Sequence, residues 1–415
     1  MKRIDIWFVV GVLLVLLGIL MFIGVVKAAP SYSDVGQNLT YVGMNESIEL
    51  RAKWTPVDAP YDVSAGVHID SLDVHSQEGD PTGIVFNNNG TKLYVTGIQN
   101  DKVLEYNLST PYDVSTGVYN DYLYVGSQES SPTGIAFNNN GTKLYVIGYD
   151  SDKVREYNLS TPYDVSTGVY NDYLDVSAQT TDPTGIAFNN DGSKLYVTGF
   201  NTEKVFEYNL STPYDISTGV YNDYLNISAQ TEDPTGIAFN SDGTKLYVVD
   251  YYRDRVYEYN LSTPYDISTG VYNDYLSIGA QESCPFGIAF NNNGTKVYVC
   301  GYSFDRVREY SLIYSLDIAT LYLNLTGYQA VDTIDLNDSI TAKWSNFSYT
   351  PTTCNKVVGW KITANDSATS NTTTIGTFYV MPYIYQGQGL TATCTNKHNA
   401  TITPSTTGDI NATFL

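Results

Sequence analysis

The sequence predicts an all-β protein built around a five-bladed β-propeller. Three observations carry that reading. First, Pro81, Pro132, Pro183, Pro234 and Pro285 are each 51 residues apart, and so are Pro60, Pro111, Pro162, Pro213 and Pro264. Internal periods of roughly 20–50 residues mark solenoids, propellers and arrays. Second, each unit holds four short β patterns separated by Gly-, Asn- and Pro-rich turns, and no segment keeps a helical period over three turns. Third, the 415 residues include 38 Tyr, 33 Gly and 15 Pro, and 42% are hydrophobic, which suits short strands and excludes a disordered chain.

Trp7 to Val26 form an uninterrupted apolar run behind Lys2 and Arg3. It is long enough to span a bilayer, and the leading cations predict an N-inside orientation. Val26-Lys27-Ala28 also fits a signal-peptide cleavage site. Residues 1–28 are therefore an anchor or a cleaved signal. Either way the remaining chain is expected outside the cell or at its surface. Residues 29–56 read as a short β segment.

The repeat occupies 57–325. Its first strand is Gly134–Phe137 in the second copy, followed by an Asn-Gly turn, the strongest local hairpin signal. The second strand is Lys143–Val146, the third Lys153–Leu159 and the fourth Asp172–Ser177. Four antiparallel strands in about 50 residues is the size of a propeller blade. The run Pro132-Thr-Gly-Ile-Ala-Phe-Asn-Asn-Asn-Gly-Thr-Lys-Leu-Tyr-Val146 resembles the repeat of secreted YVTN-type propellers of prokaryotic surface proteins, relatives of NHL-type propellers. The resemblance implies the fold and an extracellular setting, and leaves the activity open.

Strands one to three occur five times. A fourth-strand pattern also precedes the first copy, at Ser71–Ser76, and the last copy ends on a third strand, Arg306–Leu312. Pairing these two ends would close the circle and hide both edges. The competing closure uses Ser315–Leu325 as the last fourth strand. Cys284 and Cys300 flank the first hairpin of the last blade, so antiparallel pairing predicts a disulfide there. Cys354 and Cys394 form the second candidate pair.

Residues 326–415 are Thr- and Asn-rich with alternating short strands, which predicts a β-sandwich. The stretch Val357–Val380, with Trp-Lys-Ile-Thr-Ala-Asn-Asp-Ser then Thr-Phe-Tyr-Val, resembles the last strands of Ig-like domains. Asn45-Glu-Ser-Ile-Glu-Leu-Arg-Ala-Lys-Trp54 echoes Asn337-Asp-Ser-Ile-Thr-Ala-Lys-Trp344. Residues 31–56 thus belong either to a truncated module of their own or to the C-terminal strands.

The net charge of −22, with no basic block, excludes nucleic acid as a partner. No nucleophile elbow, zinc-protease motif or dinucleotide-binding loop occurs. The innermost strand offers no carboxylate, whereas propeller glycosidases need two converging on the channel. A non-enzymatic recognition or adhesion scaffold is therefore expected. The alternatives are a polysaccharide hydrolase or lyase using Asp80, Asp182 and Asp233, and a coat subunit that packs on itself. His68 and His75 read as surface residues.

Variation among the copies gathers in loops on one face. These carry Asp80, Glu129, Asp152, Asp182, Glu203, Asp233, Asp254 and Asp305, with Tyr149, Phe200, Tyr251, Tyr252, Tyr302 and Phe304. Aromatic faces beside carboxylates suit a surface glycan or a protein partner. No cofactor is expected. Clustered carboxylates could hold Ca²⁺, but no calcium-loop motif supports it. Sequons at Asn89, Asn140 and Asn293, and at Asn107, Asn158, Asn209 and Asn260, fall on the opposite face, predicting a glycan-covered side and a bare binding side.

Overall fold

The computed structural model describes residues 57–314 continuously, with side chains over 59–313. Outside that span it describes the backbone of strands Ser31–Gln37, Tyr41–Gly43, Ile48–Thr55, Leu316–Asn324, Tyr328–Ser339, Lys343–Tyr349, Lys356–Asp366, Ser370–Thr372, Gly376–Met381, Leu390–Asn396 and Asn399–Pro404. The apolar run Trp7–Val26 and Cys354 lie outside the described residues, as does the side chain of Cys394.

Five antiparallel sheets of four strands surround a channel, the fifth extended by the short strand Val57–Asp58. Strands A to D run from the axis outward. Blade 1 comprises Pro81–Phe86, Lys92–Gly97, Lys102–Leu108 and Gly117–Tyr124. Blades 2, 3 and 4 repeat it from Pro132, Pro183 and Pro234. Blade 5 takes A, B and C from Pro285–Phe290, Lys296–Gly301 and Arg306–Tyr314. Its D strand is Gly66–Asp73, which pairs antiparallel with strand C from Arg306↔Asp73 to Leu312↔Gly66. The circle is thus closed by the strand that precedes the first copy. The competing candidate, Leu316–Asn324, pairs instead with Tyr328–Ser339 and Lys356–Asp366.

Strand D starts earlier than its sequence suggests, at Gly168 in blade 2. As the outermost strand it has little packed on either face, so Val169, Tyr170 and Tyr173 stay exposed and the apolar-polar alternation is lost. The turn before it is set by Asp164, whose carboxylate accepts the Ser166 N–H and caps a 3₁₀ turn over Val165–Thr167. Tyr163 enters that turn with a left-handed φ of 60°. Its ring lies over Gly141 of the Asn-Gly hairpin, where a Cβ would stand 2.3 Å from the ring, so only glycine fits.

Adjacent blades are clamped by a set of contacts in which the Lys–Glu pair and the Tyr-to-carbonyl bond recur in every blade, and the bond from a backbone N–H to the Glu is made to Glu105, Glu258 and Glu309. Lys92 of strand B pairs with Glu105 of strand C at 2.6 Å. Glu105 also accepts the N–H of Val165 in the next blade, and the Tyr94 hydroxyl donates to the Tyr163 carbonyl at 2.6 Å. The same clamp joins blade 5 to blade 1. There Glu309 accepts the Val114 N–H, and Lys296 and Tyr298 donate to the Tyr112 carbonyl. These glutamates are buried and their charges are matched, as burial requires. The many tyrosines of strands B and C are interblade core: Tyr94, Tyr145, Tyr196, Tyr247 and Tyr298 are fully buried.

The disulfide expected between Cys284 and Cys300 does not form; both are free thiols. Cys300 is paired in register with Gly287 rather than with Cys284, and it packs in the core between blades 5 and 1. The Cys284 carbonyl accepts the Tyr302 N–H, two residues farther along. The strands flanking the propeller pair with each other. Ile48–Thr55 runs antiparallel to Lys343–Tyr349, and Tyr41–Gly43 runs parallel to Tyr379–Met381. The two echoing segments therefore touch at their ends, where Lys343 and Trp344 pair with Trp54 and Lys53.

Candidate functional site

The strand A residues Thr82, Gly83 and Ile84 and their equivalents form the channel waist, a space of about 20 Å³. The Thr82 hydroxyl donates to the carbonyl of Pro132 in the next blade, and Thr133, Thr184 and Thr235 repeat the bond. Blade 5 breaks this series, because Phe286 replaces threonine.

Above the waist, one hydrogen bond in each blade joins the residue before strand A to the residue after strand B. The Asp80 carbonyl accepts the Ile98 N–H, Ser131 that of Tyr149, Asp182 that of Phe200, Asp233 that of Tyr251 and Cys284 that of Tyr302. This backbone bond sets a carboxylate, hydroxyl or thiol residue beside each side chain at the mouth. It is why residues from five copies converge there.

The aromatic members form one continuous cluster. Ring centroids lie 6.3 Å apart for Tyr149–Phe200, 5.3 Å for Phe200–Tyr251, 5.8 Å for Tyr251–Tyr302 and 4.9 Å for Tyr251–Tyr252. Phe286 sits at its centre, fully buried, 5.1 Å from Tyr302 and 6.2 Å from Tyr149. Tyr149 belongs to blade 2 and Phe286 to blade 5, which are not neighbours, so the cluster spans the channel axis and caps it. Burial pushes the hydroxyls of Tyr149, Tyr251 and Tyr302 up. The charge of Asp182 adds to this at Tyr149, and that of Asp80 at Tyr251 and Tyr302. Both aspartates stand at the mouth through their backbone bonds to Ile98 and Phe200. Asp233 has its carboxyl raised by burial and by Asp250, Glu232 and Glu203.

The structure gathers Tyr149, Phe200, Tyr251, Tyr252, Tyr302, Asp80, Asp182 and Asp233 at this mouth. The other candidates serve the loops. Glu129 is buried and accepts the N–H groups of Ser131 and Asp150, stapling its own loop. Asp152, Glu203, Asp254 and Asp305 adopt φ of 50–53° in the B–C turn. Their carbonyls accept the N–H of Val176, Ile227, Ile278 and Val74, which follows each D strand. Their conformation is that of a turn residue.

Phe304 stands apart from the cap. It lies in an open groove on blade 5 with Asp73, His75, Arg306 and Arg308, its ring 5.3 Å from the Arg308 guanidinium. His75 is exposed and bonds Asp305 at 2.7 Å. His68 departs from its expected surface position: it packs edge-on against Tyr310 at 5.4 Å with its Nε2 buried. Sequence reasoning missed Phe286 and Cys284; the signal was the departure of Cys-Pro-Phe-Gly from Asp-Pro-Thr-Gly in the copy before it. Among the described residues no group of three or more His, Cys, Asp or Glu is placed to hold a metal ion. The sequon residues Asn89, Asn107, Asn140, Asn158, Asn209 and Asn293 are exposed and Asn260 is half-buried, all on the side opposite the cap.

No protein-family model matches the chain, and no curated protein matches it. Solved structures do. The β-propeller domain of Cps50 (Swd1) from Myceliophteria thermophila is 10% identical, with a TM-score of 0.36, covering 59% of this chain and 99% of that one. A luciferin-regenerating enzyme is 14% identical, with a TM-score of 0.38, covering 62% of this chain and 95% of that one. A functionally unknown protein from Desulfotomaculum acetoxidans is 10% identical, with a TM-score of 0.34, covering 80% of this chain and 96% of that one. Likenesses this distant carry no argument about function. The blade assignment rests on the strand pairing itself.

Proposed function

We propose that the chain is an exported recognition protein whose propeller binds a surface glycan or a protein through the capped mouth. The aromatic cap carries this reading: side chains from blades 2 to 5 form a single platform, with Asp80, Asp182 and Asp233 in the residues around it. Tyr faces stack on sugar rings or apolar side chains, and carboxylates accept hydrogen bonds from hydroxyl or cationic groups. Because Phe286 fills the axis, the mouth offers a surface rather than a deep cleft, which suits recognition over catalysis. The N-terminal apolar run and the dense sequons support export, as does the likeness of the repeat to secreted YVTN-type propellers. The membrane, reached through the N-terminal run, and other copies of the chain are further proposed partners.

The test is a glycan and surface-protein binding screen with the ectodomain. Tyr251→Ala and Tyr302→Ala are each expected to weaken the selected interaction by tenfold or more, the size of a binding hot spot. Undiminished binding by both variants moves the site elsewhere. One observation favours an enzymatic alternative: the raised carboxyl of Asp233 is of the kind a general acid needs. Polysaccharide cleavage abolished by Asp233→Asn would establish it.

A further inference from the structure

The end of the channel opposite the cap opens into a cup of about 270 Å³. Phe86 and its equivalents Phe137, Phe188, Phe239 and Phe290 form its apolar wall. Each ring is half-buried and held by tyrosines on two sides; Phe86, for example, lies 5.2 Å from Tyr112 and 4.6 Å from Tyr298. The wall is thus preformed. The waist and Phe286 block the far end, so the cup opens to one face only. In a molecule of net charge −22, no Asp, Glu, Lys, Arg or His lines it. A charged occupant would be desolvated without a partner, so the cup selects neutral ligands.

The rim is a ring of hairpin-turn carbonyls. The Asn88 carboxamide donates to the Asn139 carbonyl, Asn139 to Asn190, Asn190 to Ser241 and Asn292 to Asn88. Each rim carbonyl also accepts a tyrosine hydroxyl, as Asn88 does from Tyr112. The series fails once. Ser241 stands where the other blades have asparagine, and its short side chain carries no amide. Among the described residues the Asn292 carbonyl therefore accepts only the Tyr61 hydroxyl, and a second space of about 270 Å³ opens beside Ser241, sharing Phe239, Phe290 and Asn292 with the cup.

We propose that this cup binds a small neutral ring compound bearing one O–H or N–H donor. The ring would rest on the phenylalanine wall and the donor on the Asn292 carbonyl. The volume lies just below the roughly 300–1,000 Å³ of ordinary ligand sites, which limits the ligand to one ring with few substituents. A sugar fits poorly, because its many hydroxyls would face the apolar phenylalanine wall, and the rim carbonyls of Asn88, Asn139, Asn190 and Ser241 each already accept a tyrosine hydroxyl and an asparagine amide.

Phenol is the probe, titrated calorimetrically into the full chain, with benzoate as the charged control. Wild-type protein is expected to bind phenol, and benzoate about tenfold more weakly or not at all. Ser241→Asn restores the repeat's own residue, so it folds; it completes the carbonyl ring and is expected to weaken phenol binding about tenfold. Tyr251→Ala, at the opposite mouth, is expected to leave phenol binding unchanged, which separates this site from the capped one. Absence of phenol binding at millimolar concentration, equal binding of benzoate, or full binding by Ser241→Asn overturns the proposal.

Discussion

Glu282 shows how one changed neighbour alters a buried residue. The equivalent Glu78 accepts three backbone N–H groups, from Asp80, Gln99 and Asn100. Glu282 accepts only that of Ser303, because the Cys284 N–H turns to Asp254 instead. Its second oxygen lies 3.8 Å from Arg308 Nε, beyond hydrogen-bond reach, and both atoms are buried. Burial therefore wins over the lowering pull of the Ser303 N–H and Arg308, with Asp305 and Asp254 adding to the rise, and the carboxyl is pushed from 4.5 up to about 7. A carboxyl whose value is higher in the folded chain holds its proton there after the unfolded chain has lost it. Its contribution to stability is largest at about pH 4.5 and below, and is lost as pH rises toward about 7. The melting temperature is expected to fall over that window, and Glu282→Gln to remove part of the slope. An identical slope in the variant would assign the effect to other groups.

At the scale of the element, the unit of stability is the interblade clamp rather than the single blade. Glu309 joins Lys296 of its own sheet to the Val114 N–H of the next. Removing it strands a buried N–H and an ammonium group that keeps some contact with water. Glu309→Ala is accordingly expected to cost about 3 kcal/mol in urea unfolding, the low end for a broken buried pair. A loss under about 1 kcal/mol, the range of surface pairs, would mean the clamp is not energetically buried. The clamp was only half legible in sequence. Lys and Glu recur at fixed positions in strands B and C, but their backbone partners, such as the Tyr163 carbonyl and the Val165 N–H, lie in the next blade, where no local pattern points. The turn residues were legible only as charged loop positions: that Asp152 and Asp254 hold the bend with a positive φ appears only in the structure.

For the whole molecule, closure depends on the strand Gly66–Asp73, far in sequence from its partner Arg306–Tyr314. A chain starting at residue 75 would leave strand C of blade 5 as an open edge and remove Leu72 and Val74 from the core between blades 5 and 1. It is expected to melt lower and to aggregate, as followed by light scattering during heating. Unchanged melting would show that the ring does not need its N-terminal strand.

The sequence by itself determined the period, the four strands of each unit, the propeller and the two ends available to close it. All of these are written in short-range alternation, turn residues and repetition. Tertiary structure decided which closure was used, left Cys284 and Cys300 unpaired, and brought Tyr149 against Phe286 across the axis. It also made a gap of Ser241 in an otherwise continuous ring. The reason is geometric: residues on the axis belong to different copies, and their proximity follows from the rotation of one blade to the next. Sequence records what each blade carries, and only the closed circle determines what meets at its centre.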